Sequence, residues 1–326
     1  MRLLLIVSAL LAAFAGGAVL YGYRTYDAAG PLAQTEAVVV PRGGAEEVAG
    51  ALQQAGVIRA PWQFEAAVLA TRRQGAIHAA ELEFPAGASL REVLAVLRTG
   101  KPIQHKLTIA EGLSAQQVTA LVQHAPALEG EAPVIAEGSL LPGTYLYERG
   151  MTRAALVARA AHAMERTVGA AWAGRAPDLP LASAADALTL ASIVERETAK
   201  PEERPLVAGV YLNRLRRGMK LQSDPSVVYG ASNGLGVLDH GLTRAELDAD
   251  QPYNTYRNAG LPPGLICMPS ASSIEAVTHP AETDSLFFVA DGTGGHAFAR
   301  TEQEHQRNVV RWRASERSRA APRALP

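Results

Sequence analysis

The sequence predicts an α+β protein in three parts: an N-terminal membrane helix, a small αβ module and a larger α+β domain. Three observations lead to this prediction. Residues 3–23 are uncharged and mostly apolar. Strand-like runs then alternate with amphipathic helical stretches as far as residue 125. Beyond residue 150, long Ala- and Leu-rich helical stretches precede loops that are dense in Gly, Pro, Asn and Tyr.

The N-terminal segment LLLIVSALLAAFAGGAVLYGY lies between Arg2 and Arg24. Its length matches the roughly 20 residues that a helix needs to cross a bilayer. A cleaved signal peptide is the competing interpretation, because the AFA tripeptide within it resembles a cleavage site. However, the apolar run continues past that tripeptide, and Tyr21 and Tyr23 lie where interfacial aromatic residues belong. We therefore predict a retained anchor over residues 1–24, with the rest of the chain exported.

The small αβ module follows a linker over residues 25–36. A strand, a Gly-containing turn and an amphipathic helix occur three times, in residues 37–56, 82–100 and 106–125. In the second copy, Ser89 precedes the helix and Glu92 follows three residues later, which is the spacing of a capping box. Units of this size do not fold singly, so we expect the copies to pack on one another.

The larger domain begins with two helical stretches, residues 152–174 and 183–217. The second is interrupted near Pro201, because proline suits a first helical turn and breaks a helix interior. Residues 285–299, SLFFVADGTGGHAFA, predict a β-hairpin that turns at the Gly cluster. The chain then ends in a helix that gives way to an Arg-rich tail over residues 313–326, which we expect to be disordered.

Composition excludes several classes of function. The net charge of −1 provides no basic field, so we expect no nucleic-acid partner. The single cysteine excludes an internal disulfide. The histidines form no metal-binding motif and the sequence contains no Walker loop, so we expect neither a metal nor another cofactor.

The stretch ASIVERETAK places two glutamates on a predicted helix. Leu190, Ile193 and Val194 form an apolar stripe, and Glu197 takes the next position on that stripe. An acid there loses hydration, which raises its pKa toward the range that a general acid needs. The pattern equally supports a helix-end charge that faces water or pairs with an arginine. Glu195 projects from the opposite side, and we interpret it as a solvated surface charge or, at most, as a residue that supports the site without contacting the substrate.

Two downstream loops carry polar residues. In the run QSDPS, Asp224 fits an N-cap ahead of Pro225, or a site residue. The run PYNTYRNAGLPPG places Tyr and Asn side chains beside rigid turns, as sugar-binding loops do. A packed loop without a binding role is the alternative. His296, on the predicted hairpin, is either a substrate contact or a structural residue.

Residues 191–230, 253–264 and 279–299 together resemble the MltG (YceG-like) family of endolytic murein transglycosylases. The resemblance implies an inner-membrane anchor, a LysM-like module over residues 37–102 and a periplasmic catalytic domain over residues 103–312. The family's catalytic acid is the second glutamate of an E-K-E-T motif, which reads E-R-E-T here and matches Glu197. One departure is LPGTY where relatives have FPDTY, so the family's aspartate has no counterpart in this chain.

The implied activity is non-hydrolytic cleavage of the MurNAc-β-1,4-GlcNAc bond of nascent peptidoglycan strands. Glu197 would act as general acid and then as base, which gives 1,6-anhydroMurNAc ends and terminates strand elongation. Cell-wall synthases are implied as partners. A hydrolytic muramidase would need a second carboxylate, for which Asp224 is the candidate, and a non-catalytic peptidoglycan-binding scaffold is the other alternative. The residues that we expect to line the cleft are Gln222, Ser223, Asp224, Tyr229, Asn254, Thr255 and Tyr256.

Overall fold

A computed structural model of the chain describes residues 2–320. The architecture is α+β, as the sequence predicts. The chain divides into two compact units. The N-terminal unit comprises Met1–His105 and Leu146–Gly150, and the C-terminal unit comprises Lys106–Tyr145 and Met151–Pro326.

The N-terminal unit contains four helices, two paired strands and a 3₁₀ turn within its described residues. They are α1 (Arg2–Asp27), β1 (Glu36–Val39), α2 (Ala45–Gln54), α3 (Pro61–Ala70), the turn Arg72–Gln74, β2 (Glu81–Phe84) and α4 (Leu90–Thr99). The two strands pair in antiparallel register, with Val38 opposite Leu82. Their inward-facing side chains join those of α2, α3 and α4 in one apolar core. The first two predicted strand–helix copies therefore pack on one another.

The predicted capping box at the start of α4 is confirmed. The Ser89 amide donates to Glu92 Oε2 at 2.8 Å, and the Glu92 amide donates to Ser89 Oγ at 3.3 Å. These two bonds satisfy amide groups that have no partner inside the helix.

The helix α1 provides the candidate membrane span. Within residues 2–320, one segment, Leu5–Asp27, is long and apolar enough to cross a bilayer, with a mean hydropathy of 2.0. None of its most apolar 18-residue stretch is buried inside the protein. Its length and composition meet the requirement of the predicted anchor, although a signal sequence meets the same requirement.

The C-terminal unit is mainly helical. Its elements are α5 (Ala115–Gln123), α6 (Arg153–Ala173), α7 (Ala184–Glu197), the 3₁₀ turn Pro201–Glu203, α8 (Arg204–Arg216), α9 (Asp224–Ala231), α10 (Arg244–Asp248), α11 (Ala271–Thr278), β5 (Phe287–Ala290), β6 (His296–Ala299) and α12 (Glu302–Ala320). Two further strands, β3 (Gln104–Ile109) and β4 (Gly143–Glu148), pair with each other. The interruption near Pro201 and the hairpin of β5 with β6 agree with the sequence-based predictions.

The helix α7 is the central element of this unit, with α6, α8, α9 and α11 packed against it. The predicted stripe of Leu190, Ile193 and Val194 is fully buried. The polar face is covered as well, because neighbouring helices enclose α7, and Ser192 and Glu195 are also buried. The interpretation of Glu195 as a solvated surface charge is therefore wrong.

The expected disorder after residue 312 is also wrong as far as the structure extends, because α12 continues to Ala320. Arginine has a high helix propensity, and α12 packs against β5 and β6, which support its first turns. The remainder of the predicted tail, residues 321–326, lies outside the described residues.

Candidate active site

The carboxyl group of Glu197 lies at the end of α7 and is partly buried. Its Oε1 accepts two short hydrogen bonds, each of 2.6 Å, from the Tyr211 hydroxyl and from Ser223 Oγ. Both donors are neutral, so they position the carboxyl group without supplying a charge that would neutralise it. Because Oε1 accepts both bonds, the proton of the neutral acid belongs on Oε2.

The electrostatic surroundings favour the protonated form of this acid. Burial raises the pKa of Glu197 above its ordinary value, and the hydrogen bonds from Ser223 and Tyr211 offset part of that rise. The negative charge of Asp224 raises this pKa further, whereas His296 lowers it. The C-terminal end of a helix carries partial negative charge, which also disfavours a carboxylate there. Glu197 therefore stays protonated to a higher pH than an exposed glutamate does.

Two different elements supply the hydroxyl groups. Tyr211 lies on α8 with 1% of its surface exposed, and its ring meets the edge of Phe288 at 5.6 Å. Ser223 is the N-cap residue of α9, but its side chain caps no helical amide and donates to Glu197 instead. The backbone amide of Ser223 is held by Thr255 Oγ1 at 2.8 Å.

The structure excludes one of the two interpretations of Asp224. The helix α9 begins at Asp224, and its N-cap is Ser223, so the N-cap interpretation of Asp224 is wrong. The Asp224 side chain is exposed, and Oδ1 accepts a hydrogen bond of 2.6 Å from the Tyr256 hydroxyl. Ser223, Asp224, Thr255 and Tyr256 are thus brought together beside Glu197.

The side chains of the other three predicted cleft residues form hydrogen bonds with groups other than Glu197. Gln222 Oε1 accepts from Arg214 at 3.2 Å, and the Tyr229 hydroxyl donates to Glu137 at 3.0 Å. Asn254 is buried, and its Nδ2 donates to backbone carbonyl groups around the end of α10. These contacts fix loop conformations, and a direct contact between these residues and a ligand stays a prediction.

An open cleft of about 340 Å³ adjoins Glu197. The hairpin of β5 with β6 forms one side, and α12 contributes two side chains. Besides Glu197, the cleft is lined by Thr198, Ala199, Ala290, Gly292, Gly294, Gly295, His296, Trp312 and Glu316. A Cβ at Gly295 would displace the side-chain ends of Glu203 and Lys200, which lie against this residue. The cleft thus combines one acid of raised pKa with an imidazole and an indole.

His296 is oriented by Glu203. The imidazole Nδ1 lies 2.7 Å from Glu203 Oε2, and the His296 amide donates to Oε1 of the same carboxylate at 3.1 Å. Burial opposes ionisation of Glu203, but the bonds and charge of His296 outweigh it and lower the pKa of that carboxyl. Since Nδ1 is engaged, Nε2 is the ring nitrogen left for a ligand in the cleft.

Glu195 lies two residues before Glu197, but its side chain belongs to a separate buried cluster of ion pairs and hydrogen bonds. Its Oε1 pairs with Arg204 at 2.8 Å, and both side chains are at most 5% exposed. Its Oε2 accepts from the amide and the hydroxyl of Ser270, at 2.8 and 2.5 Å. Arg204 also reaches Glu111 at 3.1 Å. The cluster joins α7 to α8 and to the N-terminus of α11.

Sequence patterns did not single out Tyr211 or Trp312. Tyr211 lies in the helical run GVYLNRL, where the available signal is that a buried tyrosine hydroxyl needs a partner. Trp312 lies in the C-terminal helix, and only the packing of α12 against the hairpin brings it into the cleft.

Residues 38–311 match the model of the YceG-like family. The chain belongs to the YceG-like family. A relative in Streptococcus pneumoniae is 35% identical over 197 residues, which cover 58% of this chain and 34% of the relative. A relative in Bacillus subtilis is 42% identical over 120 residues, or 37% of this chain and 32% of the relative. Both relatives are named endolytic murein transglycosylase.

The aligned part of this YceG-like chain spans about a third of the length of those curated relatives. Its fold is similar to the crystal structure of a YceG-like protein from Listeria monocytogenes, with a TM-score of 0.53 and 25% identity. That match covers 84% of this chain and 98% of the Listeria chain. The family resemblance predicted from the sequence is confirmed.

Proposed function

We propose that this YceG-like chain is an endolytic murein transglycosylase with Glu197 as its catalytic acid. It cleaves the MurNAc-β-1,4-GlcNAc bond of nascent peptidoglycan without water and so ends strand elongation. The observation that carries the proposal is Glu197 itself, with its raised pKa, two hydroxyl donors on one oxygen and an open cleft beside it. The names of the relatives support the substrate class.

The first chemical step uses the protonated form of Glu197. The proton on Oε2 passes to the glycosidic oxygen as the bond from that oxygen to C1 of MurNAc breaks. The GlcNAc side of the strand leaves as an alcohol, and positive charge develops at C1. Tyr211 and Ser223 keep their bonds to Oε1, so they stabilise the carboxylate that the transfer produces.

The second step uses that carboxylate as a base. It takes the proton of the C6 hydroxyl of the same MurNAc, whose oxygen forms the new bond to C1 and closes the 1,6-anhydro ring. Glu197 is then protonated again and ready for the next cleavage. One carboxyl group suffices because the sugar supplies the nucleophile, whereas a hydrolase needs a second carboxylate for a water or a covalent intermediate.

The other parts of the chain fit an exported enzyme. We infer that α1 anchors the protein in the inner membrane, with both units in the periplasm. The antiparallel β1 and β2 covered by helices support a LysM-like module in the N-terminal unit. Cell-wall synthases, which extend the strand that this enzyme would cut, are the proposed partners.

Mass spectrometry of the products tests the proposed reaction. Purified glycan strands incubated with the full-length chain are expected to yield fragments with 1,6-anhydroMurNAc ends, one water lighter than hydrolysed ends. Hydrolysed ends would contradict the proposal in favour of a muramidase. The candidates for its second carboxylate are Asp224, which lies beside Glu197, and Glu316, which lines the cleft. Absence of any cleavage would favour a binding scaffold.

Tyr211→Phe is expected to move the alkaline limb of the pH–rate profile to higher pH. The Tyr211 hydroxyl lowers the pKa of Glu197, so its removal lets that pKa rise, and the acid stays protonated further into the alkaline range. The measurement is kcat/KM for strand cleavage across pH. Tyr145→Phe is the matched control. The Tyr145 hydroxyl donates to the carbonyl of Leu141 at 2.6 Å and not to Glu197, so its removal should leave the alkaline limb in place. A shift to lower pH, or no shift, would contradict the assignment of Glu197 as the acid.

A further inference from the structure

An apolar face of α3 is exposed in the N-terminal unit. Trp62 is 59% exposed and Leu69 is 65% exposed, and Ala66 and Ala70 lie on the same face. These four residues occupy positions i, i+4, i+7 and i+8, which follow one side of a helix. We call them the Trp62 face.

The opposite side of α3 is apolar too. Phe64 is fully buried, and Ala67 and Val68 pack against the same core. The core therefore uses only one side of α3, and the Trp62 face contributes nothing to it. A helix that is apolar on both sides, with one side exposed, is typical of an element that binds a second apolar phase or partner.

The Trp62 face adjoins the end of the apolar helix α1. A groove of about 760 Å³ is lined on one side by α1, including Val19, Tyr23 and Tyr26, and on the other by Trp62, Ala66 and Ala70. The side-chain amide of Gln63 donates to the Tyr21 hydroxyl at 3.4 Å. The Trp62 face thus begins at the same level along α1 as Tyr21.

Two contacts fix this position of α1 within the N-terminal unit. Arg91 of α4 pairs with Asp27 at 2.6 Å, and its guanidinium lies 4.9 Å from the centre of the Tyr26 ring. Tyr26 itself packs against the core of the unit. If α1 crosses a bilayer, Tyr21 and Tyr23 lie in the interfacial layer where aromatic side chains concentrate, and the Trp62 face lies beside that layer.

The charges at the end of α3 complement an anionic surface. Arg72 and Arg73 follow the Trp62 face directly and are both exposed. Glu65, the acidic residue of the helix, lies three residues after Trp62, so it borders the Trp62 face, and it is half-buried. An apolar helix face that contains a tryptophan and continues into arginines is the composition of helices that lie in the plane of a membrane interface.

We propose that the Trp62 face binds the surface of an anionic phospholipid bilayer and holds the N-terminal unit against the membrane. Trp62 and Leu69 enter the boundary between headgroups and acyl chains, and Arg72 and Arg73 pair with lipid phosphates. The chemistry of α3 carries this inference independently of the reaction proposed for Glu197.

Tryptophan fluorescence of the full-length chain in bilayers tests the proposal. The chain has three tryptophans, so Trp172→Phe with Trp312→Phe leaves Trp62 as the reporter. In phosphatidylglycerol vesicles with bromine near the carbonyl end of the acyl chains, we expect the Trp62 emission to be quenched. Iodide in the buffer is expected to leave it unchanged. The matched control keeps only Trp172, which packs against the core of the C-terminal unit and should not respond to brominated lipid.

The arginines provide a second variant pair. Arg72→Gln with Arg73→Gln is expected to weaken association of the Trp62 face with phosphatidylglycerol by about fivefold for each arginine, and to change little in zwitterionic vesicles. Arg244→Gln with Arg300→Gln is the control, because both arginines are exposed in the C-terminal unit.

Three results would overturn the proposal. In the first, Trp62 in bilayers is quenched by iodide and not by brominated lipid, so its face is in water. In the second, Trp62 is protected from both quenchers and the protection depends on protein concentration, so a second copy covers the face. In the third, glycan strands alone protect Trp62, so the face binds sugar.

Discussion

Glu197→Gln is expected to reduce strand cleavage by about 10³-fold or more, because it removes the group that transfers protons in both chemical steps. Glutamine keeps an oxygen that accepts the hydrogen bonds from Tyr211 and Ser223, so the geometry of the site should be retained. The measurement is the rate of release of fragments from purified glycan strands, with binding of the strands measured separately.

Glu202→Gln is the matched control for this variant, because Glu202 is an exposed carboxylate five residues further along the chain. Its cleavage rate should equal that of the wild type. Wild-type activity in Glu197→Gln would exclude Glu197 as the catalytic acid, whatever the products are.

The same variant has an expected effect on stability, and its sign follows from the pKa. Because burial raises the pKa of Glu197 in the folded protein, the folded state holds this proton more tightly than the unfolded state does. The wild type therefore loses stability as pH rises above the unfolded pKa, until the pH exceeds the folded pKa. Glu197→Gln does not titrate, so its stability relative to the wild type should increase across that window. Urea unfolding at several pH values measures this difference, and a decrease with rising pH would contradict it.

Glu195→Gln is expected to lower the free energy of unfolding by about 3 kcal/mol, because the buried Arg204 then keeps only the half-exposed Glu111 as a counter-charge. Arg204→Met is expected to act in the same range, since Glu195 then keeps only the bonds from Ser270. Urea unfolding at neutral pH provides the measurement.

Two further variants separate this effect from a general loss of charge. Glu195→Gln combined with Arg204→Met should cost less than the sum of the single changes, because neither charge is then left alone. Arg244→Gln breaks an exposed pair with Asp248 and should change stability by less than about 1 kcal/mol. Single variants as stable as the wild type would show that the pair does not support α7.

Local patterns predicted many elements because their causes are local. The Ser89 box depends on residues three positions apart, and the stripe of Leu190, Ile193 and Val194 depends on the helical period. The hairpin of β5 with β6 follows from its Gly-rich turn. In each case the physical cause lies within one short segment, and the structure agrees.

The failures involve residues whose surroundings come from distant segments. Glu195 has the pattern of a surface charge, but α8 and α11 cover that side of α7 and supply Arg204 and Ser270. The Arg-rich segment after residue 312 has the composition of a tail. In the structure it continues the helix α12, which packs against the hairpin of β5 with β6. Patterns along one element contain no information about the partners that cover it.

The sequence by itself determined the α+β class, the apolar N-terminal helix, the family and the choice of Glu197 over Glu195 as candidate acid, because these depend on composition, periodicity and motif. Only the tertiary structure decided the environment of that acid. Tyr211 and Ser223 lie 14 and 26 residues beyond Glu197, and the cleft is completed by a hairpin about 100 residues away. A pKa depends on burial and on neighbouring dipoles within a few ångströms, and chain folding alone brings those groups together.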